Sequence, residues 1–427
     1  MKGIKITKEF KEAFDAIEKT DDHVFLTGRA GTGKSTLLKY FRSKTKKKHV
    51  VLAPTGVAAL NVKGQTIHSF FGFHPEIQRN RVHKAREDDL PIFEKIDTMI
   101  IDEISMVRAD LLDCVDRALR LNRGRPKEAF GGVQMVFIGD LFQLPPVVTR
   151  DEQDRFKTEY PSPYFFSSEA MVGTDINIIE LEKVHRQKEK AFIELLNNVR
   201  TGSVQTSDIE SWNKTHDPFF DPENESDYTV HLTTTNKMAQ QRNDYELKKL
   251  DSKEWVLKAQ TMGELGTRKM PSDPTLKIKK GSRIMFTTND PARRWVNGSL
   301  GVISSIKQKG LGKFPTVFVK LEDGDEVEVI QHKWEIFEYG VNGKSFEENV
   351  VGAYSQYPIA LAWAVTIHKA QGKTFDNVLI DVGWGAFAHG QMYVALSRCT
   401  SLKGITLLKP FKKKDVIVDR AVLDYMS

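Results

Sequence analysis

Short apolar runs alternate with helical patterns through the first half of the chain. The helical stretches, such as residues 109–121, repeat apolar residues at helical spacing, whereas each apolar run is only long enough for one buried strand. The runs lie at 24–26, 50–53, 99–101 and 133–138. Such alternation is typical of an α/β domain in which helices cover both faces of a parallel sheet.

The second half of the chain repeats this alternation but also contains a region with a different pattern of apolar residues. Apolar runs at 230–234 and 378–381 predict strands of a second α/β sheet. Between them, turn signals at Asn297-Gly298 and Asp323-Gly324 separate short strand patterns at 283–287, 300–304, 316–320 and 326–330. We therefore expect a small β-barrel inserted into the second domain.

These patterns divide the chain into three parts. We predict a first domain at 1–180, a second domain at 181–275 and 350–427, and the inserted barrel at 276–349. A polar, charge-rich segment at about 74–90 interrupts the first domain and is interpreted as a small insertion.

Composition restricts the class of protein without choosing a function. The 427 residues exceed what one compact core holds, and no apolar stretch reaches the roughly 18 residues of a membrane span. Only two cysteines occur, Cys114 and Cys399, which excludes a disulfide framework and fits a reducing, cytoplasmic location. The net charge of +6 is compatible with a nucleic-acid partner but supports one only weakly.

A phosphate-binding loop is the most specific motif in the chain. Residues 28–35, G-R-A-G-T-G-K-S, match the pattern G-x-x-x-x-G-K-[ST], and they stand between an apolar run and a helical pattern. Glycines let backbone N–H groups approach phosphate oxygens, and the start of the following helix adds its positive dipole end. Lys34 is predicted to reach the β- and γ-phosphates, and the Ser35 hydroxyl to bind Mg²⁺.

Polar residues follow two later strand patterns. Asp102 and Glu103 come directly after an apolar strand, where Asp102 can hold Mg²⁺ through water and Glu103 can polarise an attacking water. Gln143 follows another strand and can sense the γ-phosphate through a hydrogen bond. Arg186 and Arg398 are candidate cations from a second domain, but spacing alone does not distinguish them from the other arginines.

In this order, the motifs resemble those of superfamily 1 DNA helicases of the petite-integration-frequency (PIF) type, which are related to RecD-like enzymes. The resemblance runs from about residue 7 to about residue 408. Its segments are G-R-A-G-T-G-K-S at 28–35, A-P-T-G-V-A-A-L-N at 53–61, G-Q-T-I-H-S-F-F at 64–71, I-I-D-E-I-S-M at 100–106, F-G-G-V-Q-M-V-F-I-G-D at 130–140, V-H-R-Q at 184–187, T-I-H-K-A-Q-G-K-T at 366–374 and Y-V-A-L-S-R-C at 393–399.

The resemblance implies an ATP site, with Mg²⁺, in the cleft between two RecA-like domains with parallel sheets. Its expected catalytic residues are Lys34, Glu103 and Gln143 of the first domain, with Arg186 and Arg398 of the second. Asp102 and Ser35 are expected to hold the metal. The nucleotide-binding residues would be Gly28, Ala30, Gly31, Thr32, Gly33, Lys34, Ser35, Thr36 and Gly372.

The resemblance also implies a path for single-stranded DNA. Thr55, Gly56, His68, His368 and Lys369 are expected to line it, and Phe70 is a residue type suited to stacking on a base. The barrel would correspond to the family's small extra domain, and residues 74–90 to its short wedge. Trp295 is interpreted equally as a nucleic-acid contact or as a core residue.

Members of this family move 5′→3′ along single strands, and several unwind G-quadruplexes or RNA–DNA hybrids. The resemblance thus predicts a DNA helicase that acts on forked DNA, as a monomer and with no membrane partner, and it is closest to a minimal, bacterial-type core. Phe10 departs from the family pattern, because a glutamine that contacts adenine usually stands there. An ATP-dependent RNA helicase, or an ATP-gated single-strand clamp that does not unwind, remains an alternative.

Overall fold

A computed structural model describes residues 6–221, 225–263, 270–308, 314–342, 345–383 and 385–427. The first part of the chain alternates strands with helices, as its apolar runs predict. The helices are α1 (Lys8–Lys19), α2 (Lys34–Lys44), α3 (Gly56–Asn61), α4 (Ile67–Phe71), α5 (Leu90–Lys95), α6 (Ala109–Arg123) and α7 (Gln153–Glu159). The strands are β1 (His23–Gly28), β2 (His49–Ala53), β3 (Gln65–Thr66), β4 (Thr98–Asp102), β5 (Gln134–Ile138) and β6 (Ile176–Leu181).

The strands of this first domain form one parallel sheet in the order β3-β2-β4-β5-β1-β6. β4 and β5 are buried along their whole length, which is why they read as continuous apolar runs. Asp102 pairs with Ile138, which in turn pairs with Leu26. The residues that follow β1, β4 and β5 therefore emerge side by side at one edge of the sheet, where ligands bind in open α/β folds.

The second domain begins with α8 (Lys190–Thr201), α9 (Thr206–Asn213), β7 (Thr229–Thr233) and α10 (Asn236–Lys249), and it resumes after the inserted segment. The inserted strands are β8 (Trp255–Lys258), β9 (Gln260–Gly263), β10 (Thr275–Ile278), β11 (Arg283–Phe286), β12 (Leu300–Lys307), β13 (Thr316–Leu321), β14 (Glu326–Val329), β15 (His332–Asn342), β16 (Ser345–Gln356) and β17 (Ile359–Leu361). The resumed part consists of β18 (Ala364–Thr366), α11 (Ile367–Ala370), β19 (Asn377–Asp381), α12 (Gln391–Leu396), β20 (Ile405–Leu407) and α13 (Arg420–Met426). Its parallel sheet has the order β18-β7-β19-β20.

The inserted strands pair in antiparallel fashion. One sheet has the order β14-β13-β12-β11-β17, another β15-β16-β9, and β8 pairs with β10. The predicted limits of 276 and 349 fall inside this unit, since β8 and β9 precede 276 and both β16 and β17 extend beyond 349. Among the described residues, the strand pairings of this unit do not close into a barrel. Trp295 is a core residue of this unit, because its ring stacks on Phe286 with centroids 4.3 Å apart.

Two segments outside the first domain pack against it. In the hairpin β15–β16, the Tyr339 hydroxyl accepts a hydrogen bond from the Val51 N–H at 2.9 Å. The C-terminal helix α13 buries Val422 in the first domain's core and stacks the ring of Tyr425 on Phe166 at 4.2 Å. The segment 350–427, predicted to belong wholly to the second domain, therefore ends on the first. Among the described residues, no helix combines the length and apolarity needed to cross a membrane.

Candidate functional site

The loop after β1 folds tightly around left-handed glycines. Gly31 and Gly33 have φ angles of 82° and 100°, a region that costs other residues about 1–2 kcal/mol. A Cβ on Gly31 would lie 2.6 Å from the Cβ of Arg186, so only glycine lets these two segments approach. Helix α2 begins directly after Gly33, and Ser35 and Thr36 are exposed in its first turn.

Lys34 lies over the loop rather than in solvent. Its ammonium donates to the carbonyl oxygens of Gly28 at 2.6 Å and Arg29 at 3.1 Å. Burial lowers the pKa of Lys34, and the carboxylates of Asp140 and Glu103 oppose that effect. The lysine is thus held at the loop among acidic groups, where an anionic ligand can replace the carbonyl contacts.

The two carboxylates predicted from the sequence stand at the end of β4. Burial, followed by the neighbouring charge of Glu103, raises the pKa of Asp102 to about 7. Burial also raises the pKa of Glu103, although Lys34 and Arg398 counteract it. Glu103 has φ 54° and ψ 44°, a left-handed conformation that is strained for a residue with a Cβ. Such strain, at the end of a strand beside a phosphate loop, points to a functional position.

Asp140 is the centre of a buried network that the sequence patterns did not reveal. Its carboxylate accepts hydrogen bonds from Arg200 at 3.1 Å, from Gln143 at 3.3 Å and from the Tyr393 hydroxyl at 3.5 Å. Tyr393 also accepts a bond from the Ala30 N–H at 3.1 Å. The network joins the phosphate loop and β5 to two helices of the second domain, α8 and α12.

One sequence signal could have identified Arg200. Phe192, Leu196 and Val199 form the buried face of α8, and Arg200 stands on that same face although it is charged. A charged residue at a core position requires a partner, and here Asp140 supplies the charge while the ring of Phe142 lies 4.3 Å from the guanidinium carbon. For Tyr393 we find no comparable signal.

The two predicted arginines do lie at this cleft. The N–H of His185 donates to Gly31 O at 2.9 Å, which fixes Arg186 beside the loop. Arg398 is 1% exposed, and burial together with the nearby charge of Arg186 lowers its pKa to about 9. Its guanidinium donates to Val394 O (2.8 Å), Ser397 Oγ (2.7 Å), Lys373 O (3.3 Å) and Ala370 O (3.5 Å).

Gln371 makes a further contact across the cleft. Its side-chain amide donates to Glu103 Oε2 at 3.1 Å and to Gln143 Oε1 at 3.2 Å. The sequence interpretation singled out its neighbour Gly372, which has a φ of 77° and no atom within 4 Å of where a Cβ would lie. The polar contact to the catalytic candidates thus belongs to Gln371.

Short helices capped by threonine present the predicted DNA-binding residues. Thr55 caps α3 and accepts from Ala58 N, with Gly56 as the first helical residue. Thr66 caps α4, which carries His68, and Thr366 caps α11, which carries His368 and Lys369. Thr55 comes shortly after β2, whereas Thr66 and Thr366 are the last residues of β3 and β18, so all three caps stand at the carboxyl ends of the two sheets.

The same kind of threonine cap occurs at corresponding positions in the two domains. Thr66 and Thr366 begin the same tripeptide, Thr-Ile-His, with φ of −75° at both positions. Thr235 caps α10 after β7 much as Thr55 caps α3 after β2, with φ of −130° and −126°. Thr235 was not among the predicted residues, although the repeat of a threonine after an apolar strand is visible in the sequence.

Phe70 has a different environment from the other predicted DNA contacts. Its ring packs edge-on against Phe71 at 5.0 Å, Phe93 at 5.5 Å and Tyr339 at 6.0 Å. These contacts join α4 to α5 and to the inserted hairpin. The packing favours a structural role for Phe70 over the predicted stacking on a base.

Comparisons with known proteins agree with this architecture. Residues 5–210 match the model of the PIF1-like helicase family. The chain is 31% identical to ATP-dependent DNA helicase Pif1 of Bdellovibrio bacteriovorus over 99% of this chain and 92% of the relative. It aligns with the unliganded structure of Pif1 from Bacteroides sp. at a TM-score of 0.89, with 34% identity over 99% of this chain and 96% of that one. The ssDNA-bound Bacteroides Pif1 aligns at 0.70, with 33% identity and the same coverage.

Proposed function

The chain belongs to the PIF1-like helicase family and is an ATP-dependent DNA helicase; we propose that it moves 5′→3′ along single-stranded DNA and separates the duplex at a fork. The observation that carries this proposal is the shared cleft. Ala30 of the phosphate loop is hydrogen-bonded to Tyr393, and Glu103 and Gln143 are hydrogen-bonded to Gln371, across the cleft between the domains. Arg186 of the second domain lies directly against the loop at Gly31.

The residues suit ATP and Mg²⁺. A serine hydroxyl and an aspartate carboxylate are the oxygen ligands that Mg²⁺ prefers, so Ser35 and Asp102 would hold the metal together with phosphate oxygens. When bound, Mg²⁺ would neutralise part of the phosphate charge. Lys34 would exchange its loop carbonyls for the β- and γ-phosphates, and Glu103 would accept the proton of the attacking water.

The arginines would give the second domain its part in the reaction. A guanidinium on the transferring phosphate stabilises the charge that develops there. Arg186 contacts the phosphate loop, and Arg398 lies behind it, bonded to its own domain. Closing the cleft on ATP would bring both towards the γ-phosphate, and hydrolysis would release them.

DNA would bind where the capped helices face outward. His368 and Lys369 are exposed on α11, and Thr55 and Thr235 are exposed at the starts of α3 and α10. Backbone N–H groups at helix starts and threonine hydroxyls bind phosphates without reading sequence. Since both domains carry such groups, each could hold the strand while the other moves. G-quadruplexes and RNA–DNA hybrids are further proposed substrates.

The test is strand displacement on duplexes that carry one single-stranded tail. We expect ATP-dependent separation of a duplex with a 5′ DNA tail and little separation with only a 3′ tail. Preference for the 3′ tail would contradict the direction, and equal activity on RNA tails would favour the RNA-helicase alternative. Glu103→Gln is the control: it should retain nucleotide and DNA binding but lose unwinding. If the wild type binds the tailed DNA in the presence of ATP but separates neither duplex, and Glu103→Gln binds that DNA equally well, the clamp would be supported instead.

A further inference from the structure

Gln371 connects the catalytic pair of the first domain to the DNA-facing helix of the second. The hydrogens of its amide nitrogen contact Glu103 Oε2 at 3.1 Å and Gln143 Oε1 at 3.2 Å. The other end of Gln143 donates to Asp140 at 3.3 Å. Both the amide oxygen and the amide nitrogen of Gln143 are therefore hydrogen-bonded, and one carboxylate oxygen of Glu103 accepts a hydrogen bond from a neutral amide.

The position of Gln371 depends on α11. Ile367 and Ala370 anchor this single turn, with both side chains fully buried, while His368 and Lys369 point outward between them. The N–H of Gln371 bonds to the His368 carbonyl at 3.2 Å, which makes it the direct continuation of the turn. A displacement of His368 and Lys369 must therefore move Gln371, because rigid local bonding joins them.

Such a contact opposes hydrolysis. Glu103 must accept a proton from water and Gln143 must reach the γ-phosphate. In this structure, however, one side-chain oxygen of each residue already accepts a hydrogen bond from Gln371. Hydrogen bonding from an amide also makes a carboxylate a weaker base, since it stabilises the charged form. The structure aligns with the unliganded relative at a TM-score of 0.89 and with Bacteroides Pif1 in complex with ADP-AlF4 at 0.90, but with the ssDNA-bound relative at 0.70. The contact is therefore observed in an arrangement that differs from the DNA-bound one.

We propose that Gln371 is a positioning residue that restrains Glu103 and Gln143 in the absence of DNA. Engagement of a DNA strand by His368 and Lys369 displaces the turn, withdraws the amide and frees both groups for hydrolysis. This inference rests on the proposed function, because it assigns the DNA-facing side of α11 the role given there.

The experiment measures steady-state ATP hydrolysis by the full chain with and without a poly-dT oligonucleotide. Gln371→Met preserves side-chain length and removes both hydrogen bonds, and Gln371→Ala provides a second variant. Losing one charge-assisted hydrogen bond should raise the DNA-free kcat by about tenfold. The KM for ATP and the affinity for labelled poly-dT should remain within about twofold of wild type, and the rate with saturating DNA should change less than the DNA-free rate.

The matched control is Gln240→Ala. Gln240 is exposed on α10 of the same domain, and its amide bonds to Asp244 one turn along that helix. This variant should behave as the wild type. A DNA-free kcat in Gln371→Met equal to or below that of the wild type would overturn the restraint. If poly-dT does not stimulate the wild type, the proposed function fails, whereas a raised DNA-free rate in Gln371→Met would still support the restraint.

Discussion

Replacement of Arg398 by Met should greatly lower the rate of ATP hydrolysis while leaving the free energy of unfolding nearly unchanged. Met carries no charge and fills the space that the aliphatic part of the Arg398 side chain occupies. If Arg398 reaches the transferring phosphate from the second domain, its loss should lower the rate of DNA-stimulated hydrolysis by about 10³-fold, or about 4 kcal/mol of activation free energy. Affinity for single-stranded DNA should change little, because Arg398 lies inside the cleft, 1% exposed.

The unliganded protein should tolerate this change because two effects nearly cancel. Burial, followed by the nearby charge of Arg186, lowers the pKa of Arg398 from its usual value to about 9, which corresponds to a penalty of about 5 kcal/mol for keeping the cation there. Substitution removes that penalty but also removes the hydrogen bonds to Val394, Ser397, Lys373 and Ala370, together about 4 kcal/mol. The free energy of unfolding should therefore stay within about 2 kcal/mol of the wild-type value.

Three measurements on the Arg398→Met protein check this reasoning. ATP hydrolysis with saturating poly-dT gives the rate, urea denaturation of the unliganded protein gives the stability, and fluorescence anisotropy gives the DNA affinity. Near-normal turnover would refute the catalytic assignment of Arg398. A stability loss well above 4 kcal/mol would show that its hydrogen bonds outweigh the buried charge. A large loss of DNA affinity with normal turnover would place the arginine on the DNA path.

The remaining predictions concern the phosphate loop and the DNA path. Gly31→Ala should lower ATP hydrolysis by about tenfold or more, because backbone strain at φ 82° is combined with a 2.6 Å approach of the new Cβ to the Cβ of Arg186. The matched control is Gly173→Ala, where φ is 72° and the space around a Cβ is open. Equal ATP hydrolysis by the two variants would refute the role of the close approach. The double variant His368→Ala and Lys369→Ala should weaken binding to poly-dT and reduce its salt dependence by about one phosphate contact. Unchanged affinity and salt slope in that variant would move the DNA path away from α11.

Local sequence pattern was sufficient to propose much of the candidate site. The phosphate loop, Asp102 and Glu103 are contiguous with the apolar strands that carry them, so adjacent residues contain both the element and its chemistry. The strand limits agree within a few residues for the same reason, since a buried parallel strand is a continuous apolar run. The family resemblance then selected Arg186 and Arg398 as candidates, which spacing alone had left among the other arginines.

Contacts between distant segments were decided only by the tertiary structure. Gln371 and Glu103 are 268 residues apart, and Tyr393 and Ala30 are 363 apart, so no local periodicity connects them. The return of α13 to the first domain escaped prediction in the same way, because its apolar face could cover either domain. Sequence patterns determine which elements form and which of them carry phosphate chemistry. Which side chains meet across the cleft depends on how two separately folded sheets pack, and that packing places the amide of Gln371 on Glu103.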